Sequence, residues 1–149
     1  MRRRCTLNIT SKGRYALQVM LDLAAHTEEG YVSLKTISDR QGISLKYLEA
    51  IVGSLKRADL LEATRGKEGG YKLARPAESY TVGEVLRCME GNLAPVSCIG
   101  SDGKVHCDKA ACCLTAPMWM ELDEITNNYL NSILLSDLLK GDRWRDIIK

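Results

Sequence analysis

With 149 residues, 45% of them hydrophobic and 27% charged, the chain has room for one compact domain and an extension, in the ordinary balance of a soluble globular protein. No apolar run approaches the ~20 residues that cross a bilayer. No apolar stretch of a secretory signal follows the basic start Met1-Arg2-Arg3-Arg4-Cys5, so cytosolic residence is expected. The net charge of +2 conceals an asymmetry: residues 1–75 hold 14 Lys and Arg against 8 Asp and Glu, whereas residues 76–149 hold 7 against 11. A basic front half can meet a polyanion, and an acidic back half faces away from it.

Phe is absent, which leaves a core of Leu, Ile, Val, Met and Ala and favours helices over a β-sandwich. From residue 11 to about 27, Leu17, Met20, Leu21 and Ala24 recur at helical spacing, and Glu29-Gly30 ends the helix. Ser33 suits the N-cap of a short helix reaching Arg40, with Leu34 and Ile37 inward. Gly42 interrupts, and Ser44 caps a second helix to about residue 58 with the stripe Leu45, Leu48, Val52 and Leu55. Two short helices joined by a glycine-containing turn have helix-turn-helix proportions. Residues 60–64 and 71–74 read as strands around the glycine-rich basic turn at 65–70, and a helix-turn-helix followed by such a hairpin is a winged helix.

Pro76 breaks the chain, and Thr81-Val82-Gly83-Glu84 fits a capping box. The helix it opens carries Val82, Val85, Leu86 and Met89 inward and ends near Gly91. Residues 92–113 show no sustained periodicity and hold most of the cysteines, which predicts a loop ordered by something other than a hydrophobic core. From Pro117 a long helix is expected to about residue 134, with Met118, Leu122, Ile125, Tyr129 and Ile133 as its stripe. A tri-helical unit has little surface left for that stripe, so the simplest partner is the same helix of a second copy. Ser136-Asp137-Leu138-Leu139 reads as one more helical turn, with Trp144 and Ile147 folding back.

Four segments carry a resemblance: Thr10-Ser11-Lys12-Gly13-Arg14-Tyr15-Ala16, Ser44-Leu45-Lys46-Tyr47-Leu48-Glu49, Arg65-Gly66-Lys67-Glu68-Gly69-Gly70-Tyr71 and Thr81-Val82-Gly83-Glu84-Val85. In this order they resemble the IscR-type iron–sulfur cluster transcription regulators, of the winged-helix Rrf-two family that also holds NsrR and CymR. The likeness spans roughly residues 8–140. It implies a mainly α (α+β) fold, a winged helix-turn-helix with a two-stranded wing and a long C-terminal dimerisation helix. Residues 1–78 would form the DNA-binding domain and residues 79–149 the cysteine-loop and dimerisation region. The implied protein is a homodimeric repressor of a double-stranded DNA operator. Residues 1–7 precede the usual start of members and read as an extension. No paired carboxylates and no nucleophile–base set stand out, so enzyme activity is not expected.

The helix after Ser44 is then the recognition helix, whose N-terminal residues Ser44, Lys46, Tyr47 and Glu49 are candidates to meet base edges and phosphates. Ser44 serves equally as a pure N-cap; for Glu49 the plain alternative is a solvated face, and its repulsion from phosphate makes it useful only as a discriminator. In the wing, glycines such as Gly66 let backbone approach DNA, and Arg65 and Lys67 suit the minor groove or phosphate. Lys12 and Arg14 would add backbone contacts.

Six cysteines in a reducing compartment point to metal or redox chemistry rather than disulfides. Cys98, Cys107 and Cys113 have the spacing C-x8-C-x5-C, followed by Leu114-Thr115-Ala116-Pro117-Met118-Trp119. This resembles the three-cysteine site of the cluster-bearing members and implies an iron–sulfur cluster, two-iron or four-iron being open. Counting back from Trp119 selects Cys113, with Cys112 an extra thiol able to substitute. Soft thiolates suit such clusters. Zinc competes but lacks its close C-x2-C pairs, and metal-free thiol sensing is a third reading. Where IscR has a histidine three residues after the last cysteine, this chain has Ala116. His106 can substitute, though its place beside Cys107 strains the pair and an exposed loop histidine is the plainer reading. A residue of the partner subunit or an exogenous ligand also stays open. His26 reads as structural, Cys88 as core and Cys5 as an unligated thiol. The alternatives are a metal-free regulator of cysteine metabolism, acting through a partner or through thiol oxidation, and an iron–sulfur scaffold or electron carrier, which has no use for a winged helix.

Overall fold

The structure, a computed structural model, describes residues 9–144; Cys5, the 1–7 extension and Ile147 lie outside the described residues. Among the described residues, six α-helices and one two-stranded sheet frame the fold: α1 (Ser11–Ala25), α2 (Leu34–Gln41), α3 (Leu45–Arg57), β1 (Leu61–Thr64), β2 (Gly70–Leu73), α4 (Val82–Glu90), α5 (Ala116–Asn131) and α6 (Leu135–Lys140). The architecture is the mainly helical winged helix expected.

Local chemistry sets the α2–α3 turn. Ser33 Oγ accepts from the Thr36 amide at 3.1 Å, and Ser44 Oγ accepts from the Tyr47 amide at 3.4 Å. Such caps satisfy amides that a helix start leaves free and stabilise it by about 0.5–2 kcal/mol. Between them Gly42 adopts φ 66°, the left-handed conformation that glycine enters without steric cost, and its N–H returns to Ser38 O at 2.9 Å. The stripe on α3 starts one turn later than its sequence suggests. Leu45 is 45% exposed, because it stands on the first turn beside exposed Ser44 and Lys46; Ile51 joins Leu48, Val52 and Leu55 in the core instead.

The wing is a regular antiparallel pair with Leu61 opposite Leu73 and Thr64 opposite Gly70. Its second strand is held on the other side by Val32, which exchanges backbone hydrogen bonds with Tyr71 at 2.9 and 2.8 Å. A Cβ on Gly70 would stand 2.3 Å from Val32 O, so only glycine lets the wing press against the chain entering α2. The wing is thereby fixed to the helix-turn-helix at its base.

The main core crosses position 78. Ala16, Val19, Met20 and Leu23 of α1, Ile37, the α3 stripe, Leu60 and Leu61 meet Tyr80, Val85 and Leu135. Tyr80 is fully buried: its hydroxyl donates to Leu60 O at 2.9 Å and accepts from the Arg75 amide at 2.7 Å, while its carbonyl accepts from the Leu135 amide at 3.1 Å. Thr81 caps α4 by accepting from the Glu84 amide at 3.1 Å. Only this half of the expected box forms, since the Glu84 carboxylate turns to Arg75 at 2.6 Å. At the far end of α4, Glu90 Oε1 accepts from both the amide and the hydroxyl of Thr10, at 2.9 and 2.8 Å. It thus caps α1 from a residue 80 positions away, and Gly13 makes room for it, since a Cβ there would lie 2.5 Å from that oxygen.

A second cluster gathers Val82, Leu86, Leu93 and Ile133, with Leu130, Leu138 and Trp144 against it. Here α5 departs from expectation. It stops at Asn131, and the chain runs extended so that Ile133 O accepts from the Val82 amide at 2.9 Å. Ile133 is therefore buried against α4 rather than the last member of the α5 stripe. The fold-back expected of Trp144 is present. Among the described residues no helix is long and apolar enough to cross a membrane.

Candidate functional site

Two sets of residues carry the chemistry singled out in the sequence. The first lies on α1, α3 and the wing. Lys12, Arg14, Lys46, Arg65 and Lys67 are exposed and form no salt bridge among the described residues. Three other cations of the same half are matched, Arg40 Nη2 with Glu29 at 2.7 Å, Lys72 with Glu62 at 3.0 Å and Arg75 with Glu84, while Lys35, Lys56 and Arg57 are exposed without a salt bridge among the described residues. Unmatched cations keep their full charge for an external anion, and the turn between the strands bears two of them. Gly66 at the wing tip has φ 112°, a conformation that L side chains rarely adopt. The wing residue Lys67 and the α2 start at Ser33 and Thr36 line one cleft of about 460 Å³. On α3, Glu49 is exposed and Ser44 performs its capping role. Tyr47 is half-buried, its ring edge-on to Tyr15 of α1 with centroids 5.6 Å apart, so packing holds it in place.

The second set is the loop between α4 and α5. Its expected independence of apolar packing is corrected in part: Leu93, Ala94 and Ile99 are buried, Ile99 to 1% exposure, and the Asn92 side-chain Nδ2 donates to Ile99 O at 2.9 Å. Beyond that anchor the loop makes a miniature hairpin. Ile99 and Val105 form an antiparallel bridge, Gly100 N–H donates to Lys104 O at 2.9 Å and His106 N–H donates to Cys98 O at 2.6 Å. Asp102, in the turn, accepts from the Lys104 amide at 3.1 Å and holds His106 Nε2 at 2.9 Å. The His106 hydrogen bond, followed by the Lys104 amide, keeps the Asp102 carboxyl below its ordinary range.

The cysteines differ by surroundings. Cys107 and Cys112 are exposed, while Cys98 and Cys113 are half-buried. Cys113 Sγ lies 3.4 Å from Thr115 Oγ1, and that hydroxyl, helped by backbone amides, lowers the thiol below its ordinary value. Cys88 sits between α4 and α3 with Sγ 3.6 Å from Ser54 O, and burial pushes its thiol up. That is the core role expected of it. His26 is also structural, its Nδ1 2.7 Å from Asp22 O at the end of α1. Among the described residues no three His, Cys, Asp or Glu side chains converge as a metal ion needs. Cys98, Cys107 and Cys113 share one loop but are not gathered. Their donor set nevertheless fits a cluster: three soft thiols, half-buried to exposed, on a segment tied down at Ile99 and at the start of α5.

The Rrf2 family, described as iron-dependent transcriptional regulators, matches residues 9–141. The chain belongs to the Rrf2 family. The HTH-type transcriptional regulator IscR of Photobacterium profundum is 38% identical over 141 residues, 95% of this chain and 80% of the relative. Among solved structures, T. potens IscR superposes with a TM-score of 0.72 at 35% identity, over 95% of this chain and 93% of the other. CymR, the global cysteine regulator of B. subtilis, gives 0.75 at 33% identity, over 90% and 97%. These Rrf2 relatives are transcription regulators, not enzymes. The site contacts that sequence reasoning missed are the Glu90 cap on α1 and the Asp102–His106 pair. The first has no local signal. The second was visible only as an acidic residue four positions before a histidine, a spacing with no meaning until a hairpin is known.

Proposed function

We propose that this chain is a dimeric repressor that reads double-stranded DNA through residues 1–78 and senses iron–sulfur status through residues 79–149, in the reducing cytoplasm. The observation that carries the DNA reading is the set of unmatched cations on α1, α3 and the wing. Each phosphate they neutralise releases counterions, so affinity falls with salt at a slope of about −0.9 per contact. Lys46 and Glu49 lie on the α3 face offered to base edges, with Ser44 and Tyr47 fixing its start; Arg65, Gly66 and Lys67 offer a charged, narrow wing tip. Lys12 and Arg14 add phosphate contacts at the start of α1.

Two such surfaces on one operator need two copies. The apolar face of α5 supports that arrangement: Met118, Ile125 and Tyr129 are 51%, 58% and 49% exposed, beside a hollow of about 440 Å³ lined by Ile9, Leu93 and Leu130. The charged residues within α5 are Glu121, Asp123 and Glu124, with no Lys or Arg.

Cys98, Cys107 and Cys113 would hold the cluster, which supplies one-electron redox chemistry and sensitivity to iron and oxidants when bound. The chain's own part is to keep Cys113 readily ionised through Thr115 and to tie the loop to α4 and α5, so that a change of the loop bears on the dimer and the DNA face together. A ligand shifts such an equilibrium only through different affinities for the two states. The non-convergent, partly exposed thiols favour a second reading, a metal-free regulator that responds to thiol oxidation.

The test is operator binding against salt, with anaerobic purification. Arg65→Ala is expected to weaken binding across sequences and reduce the salt slope by about 1. Unchanged affinity removes the wing from the interface. A colourless, iron-free protein leaves the thiol reading in place of the cluster.

A further inference from the structure

The miniature hairpin of the cysteine loop sets two residues side by side that are eight apart in sequence. Ile99 pairs with Val105, so Cys98 and His106 are the next opposed pair, and the His106 amide indeed donates to Cys98 O at 2.6 Å. Directly opposed residues of an antiparallel pair leave the ladder on the same face, with Cβ atoms about 4.5–5.5 Å apart. Two positions along, the same face carries Gly100. A Cβ there would meet His106 Cδ2 at 2.7 Å and Nε2 at 2.8 Å. Glycine is thus what lets the imidazole lie down across the hairpin toward Asp102.

Asp102 holds Nε2 at 2.9 and 3.1 Å, and Nδ1 has no partner among the described residues. A carboxylate on one ring nitrogen with the other left open is how proteins orient a histidine that ligates a metal. Three thiolates leave one position of a four-ligand cluster to fill, and histidine is an established replacement for cysteine there. A cluster has more than one iron, so His106 and its neighbour Cys107 need not serve the same one. That removes the strain which adjacent ligands on a single ion would meet.

We propose that His106, through Nδ1, is the nitrogen ligand of the cluster site formed with Cys98, Cys107 and Cys113, and that Asp102 is its positioning carboxylate. The proposal rests on the cluster reading above and names the ligand that would complete it. Cys98 and His106 are then the pre-formed half of the site, and Cys107 and Cys113 close onto it.

Anaerobically reconstituted, chemically reduced protein is examined by pulsed electron paramagnetic resonance and redox titration. The wild type is expected to show a strongly coupled nitrogen, lost in His106→Ala. His106→Cys is expected to restore iron content without the nitrogen and at a more negative reduction potential, as thiolate replaces imidazole. Asp102→Asn is expected to keep the nitrogen coupling while moving the potential, a change that a merely structural pair would not produce. An iron-loaded wild type without that coupling, or with coupling that survives in His106→Ala, overturns the ligand proposal and leaves the three-cysteine reading standing. An iron-free wild type overturns both.

Discussion

The winged-helix half and the cysteine loop are built by different means. In the first, caps at Ser33 and Ser44, a left-handed Gly42 and thirteen buried side chains hold α1, α2, α3 and the wing in one arrangement. In the second, Leu93, Ala94 and Ile99 are the buried apolar anchors, and most of the order comes from backbone and side-chain hydrogen bonds within the loop. A packed core resists change because its side chains interlock. A segment with few buried contacts opens at small cost. Shape is invested in the half proposed to read DNA, and latitude in the loop proposed to receive a cluster.

Stability measurements on the metal-free protein can break or sharpen this contrast. Leu48 is fully buried near the start of α3, and Leu48→Ala is expected to cost about 2–5 kcal/mol in denaturant unfolding. Gly70→Ala comes next, at about 1–3 kcal/mol of overpacking, because its Cβ would press on Val32 O; operator affinity should fall with it as the wing is displaced. Cys107→Ser, on an exposed loop thiol, is expected to stay within about 0.5 kcal/mol. A loop substitution as damaging as Leu48→Ala would erase the distinction.

The smallest effect leaves stability alone and reads reactivity. The Thr115 hydroxyl lowers the Cys113 thiol, so Thr115→Val should return it toward its ordinary value. The sign follows directly: less thiolate at neutral pH, slower alkylation, and a rate–pH curve displaced to higher pH. Cys88, raised by burial, serves as the slow internal reference in the same mass-spectrometric time course. A Cys113 profile unmoved by Thr115→Val would mean that the hydroxyl is not its governing neighbour.

Much of the first half was legible in residue order, because its determinants are local. Ser33, Gly42 and Ser44 mark helix ends within a few positions, and the wing shows as two short apolar runs around a basic, glycine-rich turn. Misreadings arose where a partner lies far along the chain. Leu45 has the right spacing for the α3 stripe, yet its turn overhangs the core; Ile133 has the right spacing for α5, yet Val82 captures its carbonyl. The cysteine spacing was plain, while the relation of Cys98 to His106 depends on hairpin register and on the absence of one methyl group at Gly100. Register of that kind is a property of pairing, which composition does not carry.

Tyr80 has a practical corollary for anyone wishing to graft this winged helix onto a different C-terminal region. Its ring closes the floor under α1 and α3, its hydroxyl clamps the stretch from Leu60 to Arg75, and its carbonyl moors α6. Thr10, at the opposite end of α1, relies in turn on Glu90. A chimera spliced after residue 78 would therefore discard the keystone and the far buttress together. The transplantable unit is the winged helix with α4 and α6 attached, and the exchangeable part is what lies between them.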